Sequence, residues 1–365
     1  MDFRITASLL TLVTAGGCMA GGSTDLGYLS NPSTAGSDSG AAPAAWELNA
    51  NDFTRSWIRL SVPTGPLESV IAVTRAAQGY VALVRYDASS GKMVGTITHR
   101  VAFSIDGINW SSRNFEPNQS INQGANYFNA ISFGAGQYVV VGNAGNPNSL
   151  VSVSSDGVGW TPLSVGGLGF RFAAFAGGRW FAGGANGYLA TSLDGLAWST
   201  QQLQDGSIND LSFGNSVYVA AGNLAFWVSS EGQTWEQVSI ICDSAATCPG
   251  VTPPGSTFPQ PGIVAVDRIF FAQQKFFSGS SSSGYHFAST DGRQWQVAPP
   301  GQLSPDLYVG GQFLAVTTDG AVHGSPDGAN WTLSTTLTDN NPDGRSCVSD
   351  RCFVWEQNVI LIPSG

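Results

Sequence analysis

Charged residues are scarce in this chain, since Asp, Glu, Lys and Arg together make up 11% of its 365 residues. Lysine occurs only as Lys92 and Lys275, and the formal net charge is −10. Proteins that bind a nucleic-acid backbone depend on clustered Lys and Arg, so we expect no nucleic-acid partner. The sequence also has no basic amphipathic segment that would dock directly on an anionic membrane.

Histidine is scarce too. His99, His286 and His323 are far apart in the sequence, which favours neither a zinc site nor a Ser-His-Asp triad. No segment has helical periodicity, so the glycines do not form a phosphate loop leading into a helix. By contrast, the chain holds 46 Gly, 11 Trp and 20 Phe. This composition predicts one large all-β domain with many tight turns.

Residues 1–18 have the pattern of an export signal. Arg4 is followed by an apolar run from residue 5 to residue 13, and small residues then lead to Cys18. The run is too short to span a bilayer. The cysteine directly after small residues resembles the lipobox of bacterial lipoproteins, from which the sequence departs at Asp2 and Ala15. The resemblance implies lipidation at Cys18 and an outer-membrane anchor, on the periplasmic side or the cell surface; ordinary signal cleavage nearby is the alternative.

Residues 19–45 are rich in Gly, Ser, Ala and Pro and predict a flexible linker, which leaves 46–365 as the folded domain. We expect the membrane to be contacted through the lipid anchor only. Apart from Cys18, the cysteines form two close pairs, and in an exported chain this predicts two local disulfides. The pairs are Cys242 with Cys248 and Cys347 with Cys352.

One motif, Ser-x-Asp-Gly-x-x-Trp, occurs six times. Its copies begin at Ser104, Ser154, Ser192, Ser229, Ser289 and Ser325, with Glu231 replacing Asp in the fourth. Asp-Gly between β-prone segments predicts a hairpin turn, in which Gly adopts positive φ and the Asp and Ser side chains bind backbone N–H groups. The Trp then begins the next strand, where it can bury a large apolar surface.

Upstream of each turn, from the second copy onward, two aromatic residues lie five positions apart around a short turn. The pairs are Phe133/Tyr138, Phe175/Trp180, Phe213/Tyr218, Phe271/Phe276 and Tyr308/Phe313. This spacing predicts a hairpin in which the two rings face each other across the strands. Each unit therefore contains four short strands in about 40 residues, which is the size of a propeller blade.

The same spacing decides the expected number of blades. Cys347 and Cys352 occupy the aromatic slots of a last unit, and this unit has only three strands, the third of which ends at Ser364. A Trp-containing strand that begins at Trp57 has no unit of its own. We therefore predict a seven-bladed β-propeller of four-stranded blades, whose last blade is closed by the N-terminal strand.

The repeated turn resembles the Asp-box, or BNR repeat, of sialidase-like propellers, in the shortened form found in many exported bacterial proteins. In that family the turns lie at the blade periphery, so the resemblance implies a fold and no activity. The Phe-Arg-Ile-Pro segment of sialidases is absent from the predicted domain. The arginines of this chain are also not placed to form the carboxylate-binding clamp of three arginines that sialidases have. We therefore predict no catalysis; the alternative is a carbohydrate-active enzyme, sialidase-like or another glycosidase, that uses the variable loops.

Turns between strands 1 and 2 and between strands 3 and 4 share one face of a propeller, and the longer loops share the other. Binding residues are commonly found on such loops. The longest, 241–266, contains Phe258, a candidate contact residue. Polar residues at the starts of the innermost strands are the other candidates, with satisfaction of backbone groups as the alternative role; they are Asn129, Arg171, Asn209, Asp210, Asp267, Arg268 and Asp306.

One segment is similar to part of a calcium loop, with oxygen ligands at Asp339, Asn341 and Asp343. These residue types also occur in ordinary turns, so the sequence predicts no cofactor other than this possible Ca²⁺. The resulting hypothesis is an exported, monomeric binding or assembly module for a protein or glycan ligand. A purely structural envelope component is a further alternative.

Overall fold

The computed structural model describes residues 57–62, 64, 68–76, 79–87, 97–106, 108–114, 127–143, 148–203, 206–223, 225–238, 266–279, 285–298, 302–309, 312–317, 321–336, 344–348, 351–356 and 359–363. These residues form seven antiparallel sheets of four strands each. The single helical element described is a turn of 3-10 helix at Ala185–Gly187. Within the described residues, no helix is long and apolar enough to cross a membrane.

In the first four sheets the strands follow chain order from the inside outward. The first sheet contains β2 Glu68–Ala76, β3 Gly79–Asp87, β4 Ile97–Ser104 and β5 Ser111–Asn114. The second contains β6 Tyr127–Gly134, β7 Gln137–Asn143, β8 Asn148–Ser154 and β9 Thr161–Gly166. The third contains β10 Phe170–Ala176, β11 Arg179–Gly184, β12 Tyr188–Ser192 and β13 Ser199–Gln202. The fourth contains β14 Ile208–Gly214, β15 Val217–Gly222, β16 Phe226–Ser229 and β17 Glu236–Val238.

The fifth and sixth sheets repeat this order, and the seventh combines both ends of the described chain. The fifth contains β18 Arg268–Ala272, β19 Lys275–Gly279, β20 His286–Ser289 and β21 Gln296–Ala298. The sixth contains β22 Leu307–Val309, β23 Gln312–Val316, β24 Ala321–Ser325 and β25 Thr332–Thr336. The seventh contains β26 Gly344–Val348, β27 Arg351–Glu356, β28 Val359–Pro363 and, as its fourth strand, β1 Trp57–Ser61.

The seventh sheet is assembled by backbone pairing between distant parts of the sequence. β1 runs antiparallel to β28, with Trp57 opposite Pro363 and Ser61 opposite Val359. On the other side of β28, β27 pairs with β26, and Cys347 lies directly opposite Cys352. The two cysteines thus occupy the register position that the aromatic pairs occupy in the second to sixth sheets.

The innermost strands contact one another from sheet to sheet. β2 contacts β6, β6 contacts β10, β10 contacts β14, and β14 contacts β18. β26 contacts both β22 and β2, so the seventh sheet lies against the sixth and the first. The fifth and sixth sheets meet where the rings of Phe277 and Phe313 approach, with 5.0 Å between their centroids.

The predicted cross-strand aromatic pairs are confirmed. Each pair joins directly opposed residues of the first two strands of its sheet. The ring centroids are 4.7 Å apart for Phe133/Tyr138, 5.1 Å for Phe175/Trp180, 4.5 Å for Phe213/Tyr218, 4.8 Å for Phe271/Phe276 and 4.7 Å for Tyr308/Phe313. Tilted rings at this separation gain electrostatic energy beyond their burial, which stabilises each hairpin.

The Ser-x-Asp-Gly-x-x-Trp segments form the hairpin turns expected from their sequence. In the second copy, the Ser154 hydroxyl donates to Asp156 Oδ1 over 3.0 Å and accepts the Gly157 N–H over 2.9 Å. Asp156 Oδ1 also accepts the backbone N–H groups of Val158 and Gly159, each over 2.8 Å. Gly157 has φ of +73°, a conformation that glycine adopts without steric cost.

The tryptophans that end several of the turns pack between neighbouring sheets. Trp160, Trp198 and Trp235 lie against apolar clusters shared by their own sheet and the preceding one. The indole N–H group of Trp198 donates to the Gly195 carbonyl of its own turn over 2.7 Å, and that of Trp160 donates to the Gly157 carbonyl over 3.2 Å. The turn therefore connects local hairpin geometry with the packing of one sheet on the next.

Glu231→Asp should stabilise the protein by about 0.5–1 kcal/mol. In the Asp-containing turns the carboxylate accepts two backbone N–H groups, but the longer Glu231 side chain accepts neither within the described residues. Urea unfolding followed by tryptophan fluorescence would measure the change, with Glu231→Gln as the control that alters charge without restoring the geometry. Equal stability of wild type and Glu231→Asp would contradict the expectation.

Gly214→Ala should destabilise the protein by about 2 kcal/mol through overpacking. Gly214 ends β14, and a Cβ at this position would overlap the ring of Phe271 on the next sheet. Gly166→Ala is the matched control, because a Cβ there meets no atom within 4 Å. Thermal unfolding of both variants would test the expectation, which requires the Gly166 variant to remain close to the wild type.

Candidate functional site

The strand order places two sets of repeated turns at the same end of the sheets. Because neighbouring strands are antiparallel, the turn joining strands 1 and 2 and the Ser-x-Asp-Gly-x-x-Trp turn share this end, which we call the turn face. The connections between strands 2 and 3, and those between sheets, lie at the opposite end, the loop face. The innermost strands begin at the loop face, so the polar residues predicted as candidates at those strand starts lie there.

Three of these candidates occupy β-bulges at equivalent positions. The register shifts between Phe128 and Ala130 in β6, between Phe170 and Phe172 in β10, and between residues 208 and 210 in β14. Asn129, Arg171 and Asn209 are the extra residues. A bulge leaves its residue outside the ladder and redirects the side chain, and bulges are common beside binding sites.

The two bulged asparagines bind the next sheet. Asn129 Nδ2 donates to the Phe170 carbonyl over 2.8 Å, which links β6 to β10. Asn209 Nδ2 donates to the carbonyl of Val266, just before β18, over 2.9 Å and to Asn223 Oδ1 over 2.7 Å. Both side chains are thus used to connect neighbouring sheets at the loop face.

Charged candidates make similar links. Asp210 is 3% exposed, and its Oδ1 and Oδ2 accept the backbone N–H groups of Leu211 and Ile269 over 2.8 and 2.9 Å. Arg268 forms an ion pair with Asp306 on the sixth sheet over 2.8 Å. Asp210 thus satisfies backbone N–H groups of two strands, as the alternative role expects, whereas Arg268 and Asp306 connect neighbouring sheets through their side chains.

Arg171 differs from this pattern. Arg171 is exposed on its bulge, whereas its neighbours Phe170 and Phe172 are buried. Asp267 is half-buried, and its backbone N–H donates to the Gly279 carbonyl over 3.0 Å. Among the candidates at the strand starts, Arg171 therefore offers the most accessible charge for a ligand.

Several predicted residues lie outside the described residues. These are Cys18, Cys242, Cys248, Phe258, Asp339, Asn341 and Asp343. The backbone of Cys347 and Cys352 is described, but their side chains are not. The lipid anchor, the disulfides and the calcium loop therefore stay predictions. Over the described ranges, no group of three or more His, Cys, Asp or Glu side chains could hold a metal ion.

A cleft of about 230 Å³ between the fifth and sixth sheets was not predicted from the sequence. Its wall includes His286 at the start of β20 and Ser304 in the segment that leads to β22. Burial lowers the pKa of His286; the Asp306 charge opposes this, and the Arg268 charge adds to it. The imidazole is therefore neutral at pH 7. No motif marks this cleft, because its walls come from separate segments of the fifth and sixth sheets and of the connection between them.

Comparison with known proteins supports the fold and no closer relationship. No protein-family model matches the chain, and no curated protein matches its sequence. The crystal structure of the WD40 β-propeller domain of Doa1 is similar with a TM-score of 0.55 at 14% identity, over 85% of this chain and 97% of that one. A chain of the mitotic checkpoint complex gives 0.57 at 9% identity, over 89% of this chain and 99% of that one. The chain thus has a β-propeller fold.

Proposed function

We propose that this protein is an exported, lipid-anchored, seven-bladed β-propeller that binds a protein or glycan partner through its loop face. The pairing of β1 with β28 and the contacts of β26 with β22 and β2 support a ring closed by the N-terminal strand. Closure in this way removes a free sheet edge, which would otherwise promote aggregation. It also holds the loop face on a rigid scaffold, as binding loops require.

The observation that carries this proposal is the contrast between Arg171 and the residues around it. Asn129, Asp210 and Arg268 join neighbouring sheets, whereas Arg171 is exposed on an equivalent bulge. A charged side chain on a rigid strand start loses little backbone entropy when it binds a ligand. Binding is also favoured over glycoside hydrolysis, because a glycosidase uses two carboxyl groups at the scissile bond. Here the carboxylates of Asp210 and Asp306 are engaged in links between sheets.

A photo-crosslinking amino acid at position 171 tests the proposed face. We expect ultraviolet irradiation of cells to give a discrete adduct, which mass spectrometry then identifies as a protein or a glycan conjugate. The same amino acid at position 113 is the control, because Arg113 is exposed on the outer strand β5 of the first sheet. Equal adducts from both positions, or none from 171, would refute the use of this face.

The anchor needs a separate experiment. A clickable fatty-acid probe should label the wild-type chain, and Cys18→Ser should lose the label and leave the membrane fraction. Cys242→Ser serves as the control for removing a cysteine outside the proposed lipobox. Equal labelling of the wild type and Cys18→Ser would exclude lipidation at Cys18 and leave the propeller and its loop face untouched.

A disulfide between Cys347 and Cys352 also belongs to this proposal. The two residues are directly opposed on β26 and β27, which suits the short Cα separation that a disulfide needs. In an exported protein such a bond would replace the aromatic pair of the other sheets. Mass spectrometry of non-reduced peptides should detect the pair, and free thiols at both positions would exclude it.

A further inference from the structure

The cleft between the fifth and sixth sheets has a definite origin in the repeat. Ala288 precedes the turn serine Ser289 on β20, and the fourth sheet has Val228 at the equivalent position, packed in the core. The smaller side chain leaves space beside Phe277, the register partner of Ala288. Opposite, Gly328 of the sixth sheet adds no side chain to the cleft. Ala288 and Gly328 leave part of this space unfilled, and the cleft of about 230 Å³ lies beside them, between the two sheets.

Strand register shows which side chains of the fifth sheet face the cleft. Phe277, Ala288 and Gln296 are opposed across three strands and project from one side, and His286 projects from the same side. The rings of Phe277 and Phe313 meet there, which identifies it as the side facing the sixth sheet. The wall of the cleft therefore combines an aromatic ring with an amide and an imidazole.

The segment before β22 supplies the other wall. Leu303 and Pro305 contribute apolar surface, while Gln302 and Ser304 contribute an amide and a hydroxyl. No hydrogen bond involves the side chains of Gln296, Gln302 or Ser304 within the described part of the chain, and Nδ1 of His286 is buried without a partner. Buried polar groups normally have a partner, so His286 Nδ1 is the unusual group here, while the two exposed glutamines, bound by water in the free protein, can exchange that water for a ligand.

The cleft is also uncharged. Its lining side chains carry no charge at pH 7, because burial keeps His286 neutral. The two charges that act on His286, Arg268 and Asp306, form an ion pair with each other. An ionic ligand would lose its hydration without gaining a counter-charge, which is strongly unfavourable. The ligand that fits is neutral and carries several hydrogen-bonding groups.

We propose that this cleft binds a single neutral pyranose residue of a glycan. Its volume suits one six-membered ring, since sites for larger ligands occupy roughly 300–1,000 Å³. A pyranose has an apolar C–H face for Phe277, Leu303 and Pro305, and hydroxyls that both donate and accept hydrogen bonds. Two amides, a hydroxyl and an imidazole match that mixture.

Saturation-transfer NMR on the full chain tests the site, with the methyl glycosides of glucose, galactose, mannose and N-acetylglucosamine as probes. We expect transfer to the ring protons of at least one glycoside. Gln296→Ala should weaken its binding at least fivefold, because the side chain is exposed and its loss removes hydrogen bonds without disturbing the core. Gln233→Ala, an exposed glutamine on the turn face, should leave binding unchanged.

A second variant fills the cleft. Ala288→Leu should abolish glycoside binding while keeping the melting temperature at or above that of the wild type, since the added side chain enters existing space. Transfer that survives in Ala288→Leu would place binding elsewhere and overturn the proposal. Absence of transfer with every glycoside would overturn it too, as would stronger transfer to N-acetyltryptophanamide, which would assign the cleft to an apolar side chain.

This inference rests on the proposed function, because it names a glycan ligand for the same module. The two can fail separately. Loss of crosslinking at position 171 would remove the loop-face partner and leave the glycoside experiment unaffected. Conversely, a cleft that binds no glycoside would leave a protein partner at Arg171 in place.

Discussion

Asp210→Ala should cost about 3 kcal/mol of folding free energy, the largest effect expected from a single polar substitution at the loop face. Asp210 is 3% exposed and accepts the backbone N–H groups of Leu211 and Ile269. Alanine would leave both donors without this acceptor, and the second lies on the next sheet, so the link between the fourth and fifth sheets would be lost. Urea unfolding followed by tryptophan fluorescence would measure the cost.

Two variants define this result. Asp210→Asn keeps an oxygen for one of the two N–H groups and should cost about half as much. Asp194→Ala removes an exposed aspartate of a turn and should cost less than Asp210→Ala, because water replaces the lost bonds. If Asp210→Ala were no more harmful than Asp194→Ala, Asp210 would not be the structural link described above, and a ligand-binding role would regain support.

The wild type should lose stability as the pH falls from about 6.5 to 4, and His99→Phe should abolish the part of this loss that comes from His99. His99 is 5% exposed, and its pKa is lowered from 6.5 to about 4 by burial and then by the Arg85 charge. A bond to the Phe128 backbone opposes the shift. In the unfolded chain His99 takes up a proton near pH 6.5, whereas in the folded chain it does so only near pH 4. The contribution of His99 to the folding free energy is therefore fully present above pH 6.5 and decreases as the pH falls towards 4.

The size of this effect follows from the same values. A drop of the pKa from 6.5 to about 4 corresponds to about 3.5 kcal/mol, at about 1.4 kcal/mol for each pKa unit. Phenylalanine retains a ring to pack against Phe128, whose centroid lies 5.5 Å from that of His99. Chemical unfolding at pH 7 and pH 4.5 should show a smaller loss in the variant. His323→Phe is the control, and a loss as large in His99→Phe as in the wild type would contradict the expectation.

Much of the local architecture could be predicted from the sequence. The Asp-Gly turn and the aromatic pair act within one hairpin, so their geometry depends on residues that are close in the sequence. Phe175 and Trp180 are opposed as their five-residue spacing predicts, and Ser192 and Asp194 form the predicted turn bonds. The spacing also indicated where strands of the last sheet would lie, including the pairing of the segment at Trp57.

The candidate site was less predictable, because its residues act between sheets. The sequence placed Asn129 and Arg171 at equivalent positions, yet one donates to the next sheet and the other is exposed. Nothing in the sequence marks the bulges that redirect both side chains, since a bulge depends on how two strands pair under the packing of their neighbours. The uncharged cleft was missed for the same reason.

The repeated turns and paired aromatics by themselves determined that this chain forms short four-stranded antiparallel units, because strand pairing within a hairpin is a local property. Only the tertiary structure decided what the polar residues at the strand starts do. Whether Asp210 meets an N–H group or water, and whether Ala288 leaves a cleft or a packed core, depends on how closely one sheet approaches the next. That separation is set by side chains from both sheets at once.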